Sequence, residues 1–164
     1  MSAPTTGGYT PVWCKSNYSF LEGASHPEEL VEQAHTLGLR SLALTDRDGV
    51  YGVVRAHVRA RELGLHLIHG AQMTLTTHSQ VVLLATNRGG YANLCRLITT
   101  GRLRHAKGTC SVTLDEVREH ADGLIAVWSG AAGWTSEADA DRDAALLLAL
   151  RDAFDDRLYA LLAR

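Results

Sequence analysis

The stretch "HPEELVEQAHTLGLRSLALTDRDG", His26 to Gly49, contains a helix, a strand and a turn in quick succession. Ser25 and His26 offer N-cap positions, Pro27 suits the first helical turn, and Glu28 and Glu29 complement the positive helix end. Leu30, Ala34 and Leu37 recur at spacings of four and three, which predicts an amphipathic helix stopped by Gly38. "SLALT", Ser41 to Thr45, then reads as a short buried strand that delivers "DRDG" at its carboxyl end. Open α/β sheets place their ligands just beyond the carboxyl ends of strands. Asp46 therefore stands where chemistry is done, although an Asp followed by "RDG" is equally good turn chemistry.

The same alternation continues downstream. A second helix is expected from about Val50 to Leu63, with Val54 and Val58 on one side and Gly64 at its end. "HLIHGAQMTL", His66 to Leu75, reads as strand, glycine bend, strand, and "QVVLLAT", Gln80 to Thr86, is the most strand-like run. After "NRGG" a helix carries Leu94, Leu97 and Ile98, and "TTGRLRHAKGT", Thr99 to Thr109, reads as a loop. Thr113 and Glu116 have capping-box spacing ahead of a further helix, "LIAVW", Leu124 to Trp128, is the next strand, and Ser136 and Asp139 mark the start of a final helix running to about Phe154. "RLYALLA", Arg157 to Ala163, looks like one more strand. Strands alternating with helices predict βα units around a largely parallel sheet, the α/β class.

Composition narrows the possibilities. The 164 residues are 46% apolar and 21% charged, which suits one soluble globular domain. Cys14, Cys95 and Cys110 are odd in number and widely spaced, so neither a disulfide framework nor a zinc knuckle is indicated, and a reducing cytoplasm is the natural setting. Residues 1–8 carry no signal-peptide pattern and read as a flexible tail, leaving residues 9–164 as the folded domain. No apolar run is long enough to span a membrane. A net charge of −2 gives no global attraction to nucleic acid, so phosphate contacts would be local. No internal repeat, P-loop or GxGxxG pattern occurs.

Three stretches, "SNYSFLEGASHPEELVEQAHTLGLRSLALTDRDGVYGVVRA", "HGAQMTL" with "VVLLAT", and "GYANLCRLIT", resemble in this order the N-terminal PHP (polymerase and histidinol phosphatase) domain of bacterial DNA polymerase III alpha subunits. "ALTDRDGVYGVVR" is similar to the second motif of the error-prone alpha paralogue. The resemblance implies a distorted (β/α)7 barrel with a cluster of zinc, manganese or iron ions at the strand ends, used by active members to hydrolyse phosphoesters. It also implies that the barrel is incomplete here at its C-terminal side, with an open sheet edge for the remaining domains or subunits of a DNA polymerase, or for a second copy of the chain, to cover.

At the positions where the family carries its metal-binding His-x-His pair, this chain has Trp13 and Lys15. An indole offers only an N–H donor and an ammonium only donors. The second motif keeps Asp46 but has Arg47 beyond it, the family glutamate after the Gly-Ala pair is Gln72, the histidine opening the next strand is Gln80, and a later glutamate is Leu161. Trp13, Lys15, Asp46, Gln72 and Gln80 are thus degenerate metal-site positions, with Asp46 the one remaining ligand and no cofactor expected. Lys15 is expected to pair with Asp46, and Trp13 to fill the vacated pocket with apolar bulk. The reading that follows is a non-catalytic structural or interaction module in DNA replication and translesion repair. The alternatives are a metal-dependent phosphoesterase rebuilt around Asp46 and extra histidines, and a free-standing remnant that binds nucleic acid.

Other chemistry-bearing residues have plainer readings. His66, His69 and His78 fall close together, but 66 and 69 differ by an odd number and should face opposite sides of a strand, which favours packing or surface roles. His57 reads as a partly covered helix residue. Cys14 would gain reactivity from Lys15, yet a small buried hydrophobe is the better expectation. Arg96, Arg102, Arg104, His105 and Lys107 form the best local basic patch, open to phosphate or to a partner.

Overall fold

The computed structural model describes residues 8–128 and 137–161. The signals around Pro27 act locally, as the sequence suggests. Helix α1 is Pro27–Thr36 with His26 as N-cap, the His26 backbone N–H donates to Glu29 Oε2 at 2.7 Å, and Gly38 turns the chain at φ 73°. Strand β1 is Ser41–Arg47, with Leu42 through Asp46 buried. There follow α2 (Val53–Leu63), β2 (His66–Thr74), β3 (Gln80–Ala85), α3 (Arg88–Leu103), α4 (Leu114–Glu119), β4 (Leu124–Trp128), α5 (Glu137–Phe154) and β5 (Leu158–Ala160). The expected tail over residues 1–8 and the start signal at Ser136 fall wholly or mainly outside the described residues.

The strands form a five-stranded sheet in the order β1-β2-β3-β4-β5, which is not closed into a barrel among the described residues. It is mixed rather than largely parallel: β1/β2 and β4/β5 run parallel, β2/β3 and β3/β4 antiparallel. The reason is a tight hairpin after β2, where the Leu75 N–H donates to Ser79 O at 2.9 Å and His78 takes φ 66°. "TTHS" lacks the Gly or Asn that advertises such a turn.

Register sorts the side chains onto two faces. Leu42 and Leu44 of β1, Ala71 and Met73 of β2, Val81 and Leu83 of β3, and Leu124 and Ala126 of β4 point to the side covered by helices. There Val31, Ala34, Val53 and Ala56 of α1 and α2 pack over β1, while Leu94, Leu97, Leu150 and Phe154 of α3 and α5 pack over the rest. Ala43, Val82, Leu84 and Val127 form a smaller apolar layer on the other face, joined by partly buried Val12, Ile68, Ile125 and Leu161. Burial on both faces explains why the strands read as unbroken apolar runs.

Three further expectations change. Gly70 does not bend the chain: β2 runs straight through it, because a Cβ there would lie 2.7 Å from Leu83 O and from Leu84 Cδ2. Helix α3 continues through Thr99–Leu103 instead of ending in a loop, since Gly101 lets Cys110 and Val112 approach where a Cβ would be 2.8 Å from each. The buried stripe of α2 is Val53, Ala56 and Ala60, leaving Val54 and Val58 70% and 54% exposed. Small residues serve that stripe because α2 packs closely on α1.

Candidate functional site

The segment Pro11–Lys15 lies along the outer edge of β1. Ala43 N–H donates to Pro11 O at 2.9 Å, Thr45 N–H to Cys14 O at 2.8 Å, and Cys14 N–H to Thr45 Oγ1 at 3.0 Å. This pairing carries Trp13 to the end of β2, where its indole N–H donates to Gln72 Oε1 at 2.7 Å. Gln72, fully buried, donates from Nε2 to Gln80 Oε1 on β3, also at 2.7 Å. Trp13, Gln72 and Gln80 therefore form one hydrogen-bond chain that links the first segment to β2 and β3. Trp13 remains 39% exposed, so its contribution is this polar tip more than the apolar filling expected of it.

Asp46 is 1% exposed and has a complete set of partners. The Ser16 backbone N–H and hydroxyl donate to its carboxylate at 2.7 and 2.8 Å, and the Ser19 hydroxyl at 2.6 Å. Ser19 Oγ in turn accepts the Arg47 N–H at 2.9 Å. The expected Lys15–Asp46 pair is absent: Lys15 pairs with Glu22, which also meets Arg47 at 2.5 Å. Serine donors already compensate the buried carboxylate, so the ammonium is free to remain with Glu22 at the more open rim, 5.4 Å from the Trp13 ring centroid. Ser16, Ser19 and Glu22 went unnoticed in the sequence. Their signal is the run "SNYSFLEG", two serines three apart in a turn-prone segment, a pattern suited to donating into a carboxylate.

Two residues further on, Asp48 repeats the device. Its carboxylate accepts the Thr74 N–H and hydroxyl at 2.7 and 2.9 Å, and its carbonyl accepts from Arg102 Nη2 at 2.8 Å. Burial pushes the Asp48 carboxyl up from its ordinary value, against the opposing pull of the Thr74 bonds and of Arg102. Burial likewise pushes the Cys14 thiol up to about 11, which agrees with a packed thiol and removes the idea of one activated by Lys15.

The basic patch does not stay together as an open surface. Arg102 is turned inward on Asp48, and Arg104 makes a two-pronged ion pair with Glu116 at 2.7 and 2.8 Å. Arg96 donates to Asn93 at 2.9 Å, His105 bridges Gly101 O and Ser111 Oγ, and Lys107 is exposed. The parity argument for the histidines also fails, since His66 and His69 line the same cavity with His57. The His69 ring stands edge-on to His57 and to Tyr91, each at a centroid distance of 5.5 Å. His66 opens β2 opposite Ser41, at the far end of the strand pair from Asp46, which faces Ala71. His78 sits apart in the hairpin turn. Among the described residues, no three of His, Cys, Asp and Glu gather closely enough to share a metal ion, and no helix is long and apolar enough to cross a membrane.

The PHP domain family matches residues 13–161. The error-prone DNA polymerase of Rhodopirellula baltica is 42% identical over 158 residues, covering 93% of this chain and 14% of that protein. The error-prone DNA polymerase of Bordetella parapertussis is 51% identical over 119 residues, 70% of this chain and 11% of that one. The chain thus spans only a small part of these relatives. Among solved structures, a candidate metal-dependent phosphoesterase from Bifidobacterium adolescentis superposes with a TM-score of 0.63 at 17% identity, over 87% of this chain and 75% of its own. The lesion-specific endonuclease EndoQ of Pyrococcus furiosus gives a TM-score of 0.58 at 14% identity, over 92% and 40%. The family match over residues 13–161 and these relatives make this chain a member of the PHP domain family, on the side of the family that occurs in error-prone DNA polymerases.

Proposed function

We propose that this domain is a non-catalytic structural module of an error-prone DNA polymerase, working in the cytoplasm in replication past DNA damage. The observation that carries the reading is the Trp13–Gln72–Gln80 hydrogen-bond chain. A cluster of zinc, manganese or iron ions needs many lone pairs directed at one point. The residues present do not fit that requirement. Trp13 and Lys15 present donors, the Gln72 amide is committed on both of its atoms, and the Asp46 lone pairs face serine donors. These residues therefore offer no ligand set for metal-assisted hydrolysis.

In place of a cluster, the hydrogen-bond chain ties the first segment, β2 and β3 together, and the Ser16–Asp46–Ser19 cluster ties the first loop to β1. Such cross-ties suit a rigid platform against which other polymerase domains, or a second copy, pack at the outer edge of β5. The test is metal analysis of purified protein, combined with hydrolysis of bis-p-nitrophenyl phosphate and p-nitrophenyl phosphate. We expect substoichiometric metal and no turnover. Stoichiometric zinc, manganese or iron with turnover that disappears in Asp46→Asn would overturn the reading.

A further inference from the structure

The helix-covered face contains a second polar cluster that plays no part in the strand-end site. A cleft of about 500 Å³ opens between α2 and α3 over the first half of β2. It adjoins a second cavity of about 270 Å³, and His57, His66, Leu67 and His69 line both. Volumes on the order of 300–1,000 Å³ are those of small-molecule sites. The walls of the larger cleft are apolar and aromatic, supplied by Val53, Val54, Leu67, Ile68 and Tyr91.

Its polar groups are histidines, Thr86, Asn87 and arginines, with no carboxylate among them. Arg88 lies at the larger cleft and Arg61 at the smaller cavity, and neither lining includes an Asp or Glu. Many of the arginines are committed: Arg47, Arg55, Arg59, Arg104 and Arg118 pair with carboxylates, and Arg102 and Arg157 with carbonyls. Arg61 and Arg88, like Arg40, Arg96 and Arg151, have no carboxylate partner among the described residues, and of these only Arg61 and Arg88 lie at the two cavities. His69 lines the cleft, and its Nε2, covered from solvent, has no hydrogen-bond partner. A buried polar atom left unpaired is costly, on the order of 1–3 kcal/mol, and a ligand that bonds it recovers that cost. Desolvation holds the His69 imidazole below its ordinary value, so at neutral pH it meets a ligand as an uncharged ring.

We infer that the cleft between α2 and α3 is a binding site for a small aromatic anion, an aryl ring bearing a phosphate or carboxylate. The ring lies against Tyr91, His57 and the valines of α2, a rotation of the His69 ring brings its unpaired Nε2 to a polar atom of the ligand, and the anionic group meets Arg88. Apolar burial supplies affinity, while the arginine and His69 fix orientation.

Titration of the ¹⁵N-labelled protein with phenyl phosphate, benzoate, adenosine 5′-monophosphate and inorganic phosphate tests this. Saturable shifts of the His69 and Tyr91 resonances are expected with at least one aromatic anion. Arg88→Ala should weaken that binding about tenfold, as expected for loss of one charge-assisted contact. Val54→Trp, which fills the cleft from an exposed helix position, should abolish it while leaving resonances remote from the cleft unchanged. Response to adenosine 5′-monophosphate alone identifies a nucleotide site, and response to phenyl phosphate and benzoate identifies a general aryl-anion site. The inference is overturned if no aromatic anion saturates at millimolar concentration, if inorganic phosphate alone binds as well, or if binding survives Val54→Trp intact.

Discussion

The strand-end cluster and the α2–α3 cleft lie toward opposite ends of the β1–β2 strand pair and treat their polar groups in opposite ways. At the strand ends the Trp13, Gln72 and Asp46 side chains are matched by donors or acceptors within 2.6–2.8 Å. In the cleft, His69 Nε2 is unmatched and Arg61 and Arg88 have no carboxylate partner among the described residues. A closed network is coupled to folding, because losing one member strands the others away from water. An incomplete one is coupled to binding, because its missing partner must come from outside.

The largest expected effect tests the closed side. Asp46→Ala would leave the Ser16 N–H and both serine hydroxyls buried without an acceptor. Loss of several bonds to one charged group should cost about 3 kcal/mol or more, read as a lower urea midpoint with unchanged slope. A loss under about 1 kcal/mol would mean that water reaches the serines freely and that the network is not closed. Next comes Trp13→Phe, which keeps the ring but leaves Gln72 Oε1 without its donor, at about 1–2 kcal/mol. Pairing it with Gln72→Met in a double-mutant cycle should give a coupling of about 1 kcal/mol, and additivity would show that the two side chains do not share a bond.

The open side should behave inversely. His69→Phe removes the unmatched Nε2 while preserving an aromatic ring between His57 and Tyr91. Because no partner is stranded, stability should be unchanged or rise by up to about 1 kcal/mol. Destabilisation as large as that of Trp13→Phe would erase the distinction between the two sites.

This division also explains what could be read from the sequence. Helix α1, strand β1 and the Thr113–Glu116 capping box were legible because their signals are local: a proline, a spacing, a residue three positions on. Asp46, Gln72 and Gln80 were legible as a group through resemblance to the PHP family, and the structure does bring Trp13, Gln72 and Gln80 into contact. Their partners were hidden. Lys15 chooses Glu22, and Asp46 chooses serines, according to a loop path that no periodicity encodes. Gly70 and Gly101 looked like breakers because their neighbours Leu83, Leu84, Cys110 and Val112 come from other elements. The cleft was hidden for a related reason: alternation along β2 separates His66 from His69, but the strand begins at His66, where a side chain can turn around the sheet end into a shared cavity.

The smallest effect concerns a cation that sequence reading placed in a basic patch open to phosphate or to a partner. Arg104 and its hydrogen bonds, more than any other influence, hold Glu116 at about 2, below its ordinary 4.5, with the Thr113 cap adding to the shift. A carboxyl whose value is lowered by folding stabilises the native state above its unfolded value and loses that contribution as it is protonated. The pair should therefore contribute fully above pH 4.5 and lose its effect progressively between 4.5 and about 2. Arg104→Gln should flatten the decline of thermal midpoint across that acid window and change little at neutral pH beyond a small offset, because the pair is largely solvated and screened. If Arg104→Gln instead left the acid profile untouched while altering salt-dependent binding to DNA, the arginine would belong with Arg61 and Arg88 among the cations held for a ligand, and not with those committed to the fold.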